Sequence, residues 1–144
     1  MYTLFMLKNN QICVSSFATE AECYSFVSNE KITKYKIYPP SQKKSATFLP
    51  AMEWNDAEND FVVNISIAKE IRKNHFREIR SILFEKLDKA FMKALEAEDS
   101  EKKVYIISLK NEFRKITDIQ LPDTEEELLN FIPPIFKEVY DLSI

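Results

Sequence analysis

His75 is the only histidine among 144 residues, so any imidazole chemistry would have to run through it. A general base needs a nucleophile within reach and a third group to orient it. The sequence nominates neither. Ile71 and Ile79 flank His75 at helical spacing, which reads as a packed side chain on an inward face. Two acidic clusters invite acid–base or metal chemistry. Glu53, Asp56, Glu58 and Asp60 could supply a carboxylate pair, but nothing fixes their separation. Glu96, Glu98, Asp99 and Glu101 lack the glycine and alternating Asp/Asn spacing of a calcium loop and read as a solvated helix connection. Cys13 and Cys23 match no zinc spacing, and a single His cannot complete a Cys/His set. With no secretory signal evident, they read as small buried hydrophobes in a reducing compartment. Glycine is absent, which excludes phosphate loops and dinucleotide fingerprints built on it. The residues assign no catalytic centre, no metal and no cofactor, and the chain reads as a non-enzyme.

The remaining chemistry-bearing pattern is a basic row. Lys69, Arg72, Lys73, Arg77 and Arg80 fall within an arc of about 140° if each helical residue advances ~100°. Such a row can track a phosphate backbone. Glu70 and Glu78 interrupt it, and the chain as a whole carries net charge −3. A solvated face, or a docking surface for an acidic segment, explains it better than nucleic acid. An acidic segment is at hand. Residues 1–62 carry net −1, residues 63–117 net +4 and residues 118–144 net −6.

Those residues must be positioned by a mixed α+β chain. Hydrophobic residues at 45% and charged residues at 30% are ordinary for a globular protein. No apolar run approaches the ~18 residues of a membrane span, and no membrane partner is expected. Residues 1–62 predict a β-rich unit with a connector. Tyr2–Leu7 and Ile12–Phe17 read as a hairpin turning at Lys8-Asn9-Asn10-Gln11, since Asn tolerates positive φ. Thr19 and Glu22 predict a capping box opening a short helix. Ile32–Tyr38 reads as a third strand, stopped by Pro39-Pro40. Thr47–Asp60 reads as an irregular connector. Phe61–Ile65 reads as one more short strand, with Asn64 or Ser66 capping the helix after it.

Residues 63–144 predict a helical hairpin and an acidic helical tail. From Ile67 to Glu98 there is no proline, and Ile71, His75, Ile79, Ile82, Leu83, Leu87, Ala90, Phe91, Ala94 and Leu95 recur at three- and four-residue steps. Asp99 or Ser100 caps a second helix to about Thr117, with a stripe of Ile106, Leu109, Phe113 and Ile116 and with Val104 and Ile107 alongside. So short a link makes the two helices antiparallel. Thr124 with Glu127, or Asp123 with Glu126, forms a capping box for a short helix that Pro133-Pro134 ends. Ile135-Phe136 and Val139-Tyr140 give a last amphipathic turn or two.

The hairpin carries Arg72, Arg77, Arg80, Leu83, Leu87-Asp88, Phe91, Leu95 and then Phe113-Arg114-Lys115-Ile116-Thr117, before Leu121-Pro122 and a Glu-Glu-Leu stretch. Over residues 67–134 this resembles the C-terminal region of bacteriophage tail-fibre assembly chaperone-like and related small tail proteins. Lys115 stands where that pattern carries Asp, Phe113 where it carries Leu, and Glu98-Asp99 where Gly-Asp is common. The resemblance implies assistance to tail or tail-fibre assembly by protein–protein contact, with a tail or tail-fibre polypeptide as partner, in the host cytoplasm. It also allows a structural component of the virion, and association with further copies of the chain is open; independently of the resemblance, the basic row leaves a small nucleic-acid-binding regulator as a further alternative. Outward aromatics Phe76, Phe84 and Tyr105, with Phe131 and Phe136 of the tail, are the expected contact residues, and the β unit could add a strand to a partner.

Overall fold

A computed structural model describes residues 1–142 and has an α+β fold. The chain divides into two compact units, Met1–Ala68 and Lys69–Ile144.

In the first unit, β1 (Tyr2–Lys8) and β2 (Gln11–Phe17) form the expected hairpin, and β3 (Tyr35–Tyr38) pairs antiparallel with the other side of β1. Asn9 and Asn10 both take positive φ, 51° and 61°, the geometry of a two-residue hairpin turn that usually calls on glycine. The third strand starts at Tyr35 rather than Ile32. Lys31 sits at φ 54° just past the helix and Ile32 donates back to the Val27 carbonyl, so residues 30–32 are spent closing α1 (Glu20–Asn29). The Thr19–Glu22 capping box is present at the other end of α1.

The connector expected over Thr47–Asp60 is more ordered than its composition suggests. It contains a short 3-10 turn at Leu49–Ala51 and a strand, β4 (Met52–Asn55), which pairs with β5 (Asp60–Val63). Asn55 accepts from Ala57 and Glu58 to fold the loop, and Asn59 at φ 50° completes it without glycine.

Both faces of the three-stranded sheet are therefore covered. Leu4 and Met6 pack with Cys23, Val27 and Ile32 on the α1 side. Phe5 packs with Tyr38, Met52 and Phe61 on the β4–β5 side. This is why β1 reads as an unbroken apolar run rather than an alternating one. Trp54 stands edge-on to Phe61 at 5.0 Å and donates to Asp56. Cys13 and Cys23 are free thiols, and burial together with Glu20 and Glu22 pushes the Cys23 thiol up.

Helix α2 (Ile65–Glu96) opens on Asn64, whose side chain accepts from Ile67. It continues through the second unit and leads into α3 (Ser100–Arg114), capped by Asp99. The cross-links run in opposite directions along the two helices: Arg80 to the Phe113 carbonyl, Phe84 to the Phe113 ring, Asp88 to Lys110. The helices are antiparallel. At the bend Asp99 donates to the Ala94 carbonyl and Glu98 to that of Leu95, with Glu98 at φ 53°. This is a Schellman closure with glutamate where glycine is favoured. The tail forms α4 (Glu125–Asn130), capped by Thr124, and α5 (Pro134–Tyr140). Pro134 does not simply stop a helix. It occupies the first turn of α5, where a missing N–H costs nothing.

Candidate functional site

The second unit is built around an aromatic cluster. Phe136 of α5 meets Phe76 of α2 at 5.5 Å and Phe113 of α3 at 5.6 Å, while Phe131 lies 6.2 Å from Phe76. Arg72 fastens the chain between α4 and α5. Its guanidinium donates to the Phe131 carbonyl at 2.8 Å and stacks 4.9 Å from the Phe76 ring. Burial lowers its pKa. On the other side Tyr105 donates to Glu138 at 2.6 Å, which raises the Tyr105 pKa and ties α3 to α5.

This arrangement corrects part of the expected contact set. Phe76 is 1% exposed and is core, not an outward residue. The burial of Phe136 and the half-burial of Phe84 and Phe131 also spend those rings on mounting the tail. Tyr105 is exposed as expected, but its hydroxyl is engaged.

What the cluster mounts is an open apolar groove of about 660 Å³. Ile79, Ile82 and Leu83 of α2 form one wall, and Ile132, Pro133 and Pro134 form the other. Phe136, Lys137 and Tyr140 of α5 complete it. Ile82 is 70% exposed and Tyr140 73%. The two prolines hold the backbone extended before α5, which leaves Ile132 turned to solvent instead of folded into a helix. Lys86 donates to the Tyr140 carbonyl and lies 5.6 Å from its ring, fixing the end of α5. Lys137 is the one charged lining residue and has no ion-pair partner among the described residues. The lining presents no carboxylate, imidazole or thiol.

Periodicity alone sets the isoleucines of this groove against α3, and the structure differs. The apolar arc of α2 is wider than one partner helix can cover. Phe76, Leu87, Ala90 and Ala94 take the buried centre, leaving Ile79 and Ile82 on the flank. That excess width is the signal in the sequence. The exposure of Val104 and Ile107 on α3 has the same origin.

The basic row is largely spent inside the unit. Lys69 pairs with Asp123, Lys73 with Glu70, and Arg77 bonds Asn74. Arg80 lies at the last carbonyls of α3, where positive charge suits the helix dipole. His75 is half-buried on α2. Among the described residues no group of His, Cys, Asp and Glu could hold a metal ion, and no helix is long and apolar enough to cross a membrane. No family model, no curated protein and no solved structure matches this chain.

Proposed function

We propose that the chain acts by protein–protein contact, without chemistry of its own, and that the groove between α2 and α5 receives an apolar segment of a partner polypeptide. The observation that carries this reading is the groove itself: an open trough walled by isoleucine and proline, on an aromatic floor, with one lysine that has no ion-pair partner among the described residues. Grooves of this kind recognise a partner segment by a few apolar anchors. Lys137 adds a preference for a carboxylate beside those anchors.

The class of partner rests on the resemblance of residues 67–134 alone. On that basis the partner is a bacteriophage tail or tail-fibre polypeptide, and the activity is to hold its apolar, strand-rich chain until it assembles. A nucleic-acid reading of the same unit is weaker, because Lys69, Arg72, Lys73, Arg77 and Arg80 have partners within the chain.

Co-expression tests the proposal. The tail-fibre polypeptide of the same genome is produced with and without this chain, and soluble trimer is quantified. A several-fold gain that Ile82→Glu abolishes is the expected result. Equal trimer yield without the chain would sink the proposal.

A further inference from the structure

The sheet of the first unit has two very different edges. β3 is four residues long, carries Lys36 with Lys34 just ahead of it, and runs straight into Pro39-Pro40. Short length, lysine and proline are the devices that protect an edge from pairing with another chain. β2 has none of them. It is seven residues long, and Gln11–Phe17 contains no charge and no proline.

The pairing pattern fixes which main-chain groups of β2 are free. In a two-residue hairpin the closing pair, here Lys8 and Gln11, exchanges hydrogen bonds, and such pairs then alternate along the ladder. Gln11, Cys13, Ser15 and Phe17 therefore face β1. The odd residues of β1 face β3, as the Leu7 donation to the Lys34 carbonyl shows. Ile12, Val14 and Ser16 turn their N–H and C=O groups outward, and no described residue bonds to them.

We infer that β2 is a dimerisation strand that pairs antiparallel with β2 of a second copy. A pairing centred on Val14 sets Val14 against its own counterpart and Ile12 against Ser16 of the partner subunit. It overlaps the full seven residues and places no like charges together. It satisfies all three outward-facing residues. It also covers Ile12 and Val14, which are only half-buried in the single chain. The neutral, self-complementary strand favours a second copy over a charged partner segment, and two three-stranded sheets join into one of six. The inference is independent of the groove in the helical unit.

Sedimentation from about 1 μM to about 1 mM protein tests it. The expected result is a concentration-dependent dimer. Ser16→Pro removes an outward N–H that β1 does not use, so the hairpin is kept. By symmetry it deletes two hydrogen bonds per dimer, which at ~1 kcal/mol each weakens association at least about thirtyfold. Ser16→Thr retains the dimer. Should Ser16→Pro fail to fold, amide exchange in the unmodified protein decides. The amides of Ile12, Val14 and Ser16 are protected at high concentration and lose that protection on dilution. A protein that stays monomeric throughout would overturn the inference. So would a dimer indifferent to a folded Ser16→Pro, or three amides whose exchange does not depend on concentration.

Discussion

In the first unit the uncovered surface is main chain: Ile12, Val14 and Ser16 turn outward N–H and C=O groups that no described residue bonds, while the side chains of the sheet pack on both faces. In the second unit most of the backbone is closed into helices, and what is left open is side chain: Ile79, Ile82, Ile132 and Tyr140 around a groove. The difference follows from the secondary structure. A strand satisfies its backbone only through a neighbour, so an edge is unsatisfied by construction. A helix satisfies its own backbone but must find cover for an apolar arc. The two proposals thus rest on different chemistry, one on strand geometry and the other on apolar shape.

The comparison can be broken at the floor of the groove. Phe113 is fully buried and joins Phe84 to Phe136. Phe113→Ala is expected to destabilise the helical unit by about 3–5 kcal/mol. Helical ellipticity on denaturant titration reads that loss, and Trp54 fluorescence gives the β unit its own probe. A loss below about 1 kcal/mol would show that the aromatic cluster is not what mounts α5.

Arg72→Ala comes next. It strips the Phe131 carbonyl of a charge-assisted bond and the Phe76 ring of its cation, and costs about 2–3 kcal/mol. The same titration measures it. An unchanged midpoint would mean that water replaces the guanidinium at no cost.

Glu98→Gly works in the opposite direction. Glu98 holds a left-handed conformation at the hairpin bend, which costs an L-residue roughly 1–2 kcal/mol. Part of that is lost again to the greater freedom of glycine when unfolded. A net gain of about 0.5–1 kcal/mol is expected from the midpoint shift. A loss would show that the Glu98 side chain contributes something the bend needs.

The smallest effect is a pH dependence. The hydrogen bond to Glu138 favours the neutral Tyr105 phenol, so its folded pKa lies above the unfolded value. The stabilisation it provides is full below the unfolded tyrosine pKa of about 10 and is lost as pH rises through the folded value. Glu138→Gln is expected to lower the Tyr105 midpoint in an ultraviolet titration, because Glu138 is the largest cause of the shift. A midpoint that stays put would detach Tyr105 from α5 in solution.

Local signals in the sequence carry much of the fold. The Asn9-Asn10 turn, the Thr19–Glu22 box, the Asp99 and Thr124 caps and the antiparallel hairpin all follow from short-range chemistry. β4 does not, because Met52–Asn55 is four residues of weak periodicity whose partner strand lies beyond a loop with no glycine. The groove is half legible. Ile79 and Ile82 are visible as apolar, but their exposure depends on where Phe136 lands, and that is set by contacts some sixty residues apart in the chain. The burial of Phe76 escapes the sequence for the same reason: its partners Phe131 and Phe136 come from the tail, and the periodicity of α2 alone does not say which part of a wide arc lies at the centre.

The most direct test of the proposed docking is the affinity of the purified chain for the proposed partner, a tail-fibre polypeptide, with Ile82→Glu alongside. Ile82 is 70% exposed, so the variant should keep its stability within about 0.5 kcal/mol. The account predicts binding by the unmodified chain and a loss of at least about tenfold in the variant, as for an apolar anchor. Equal affinity in the two proteins, or no binding by either, would contradict it.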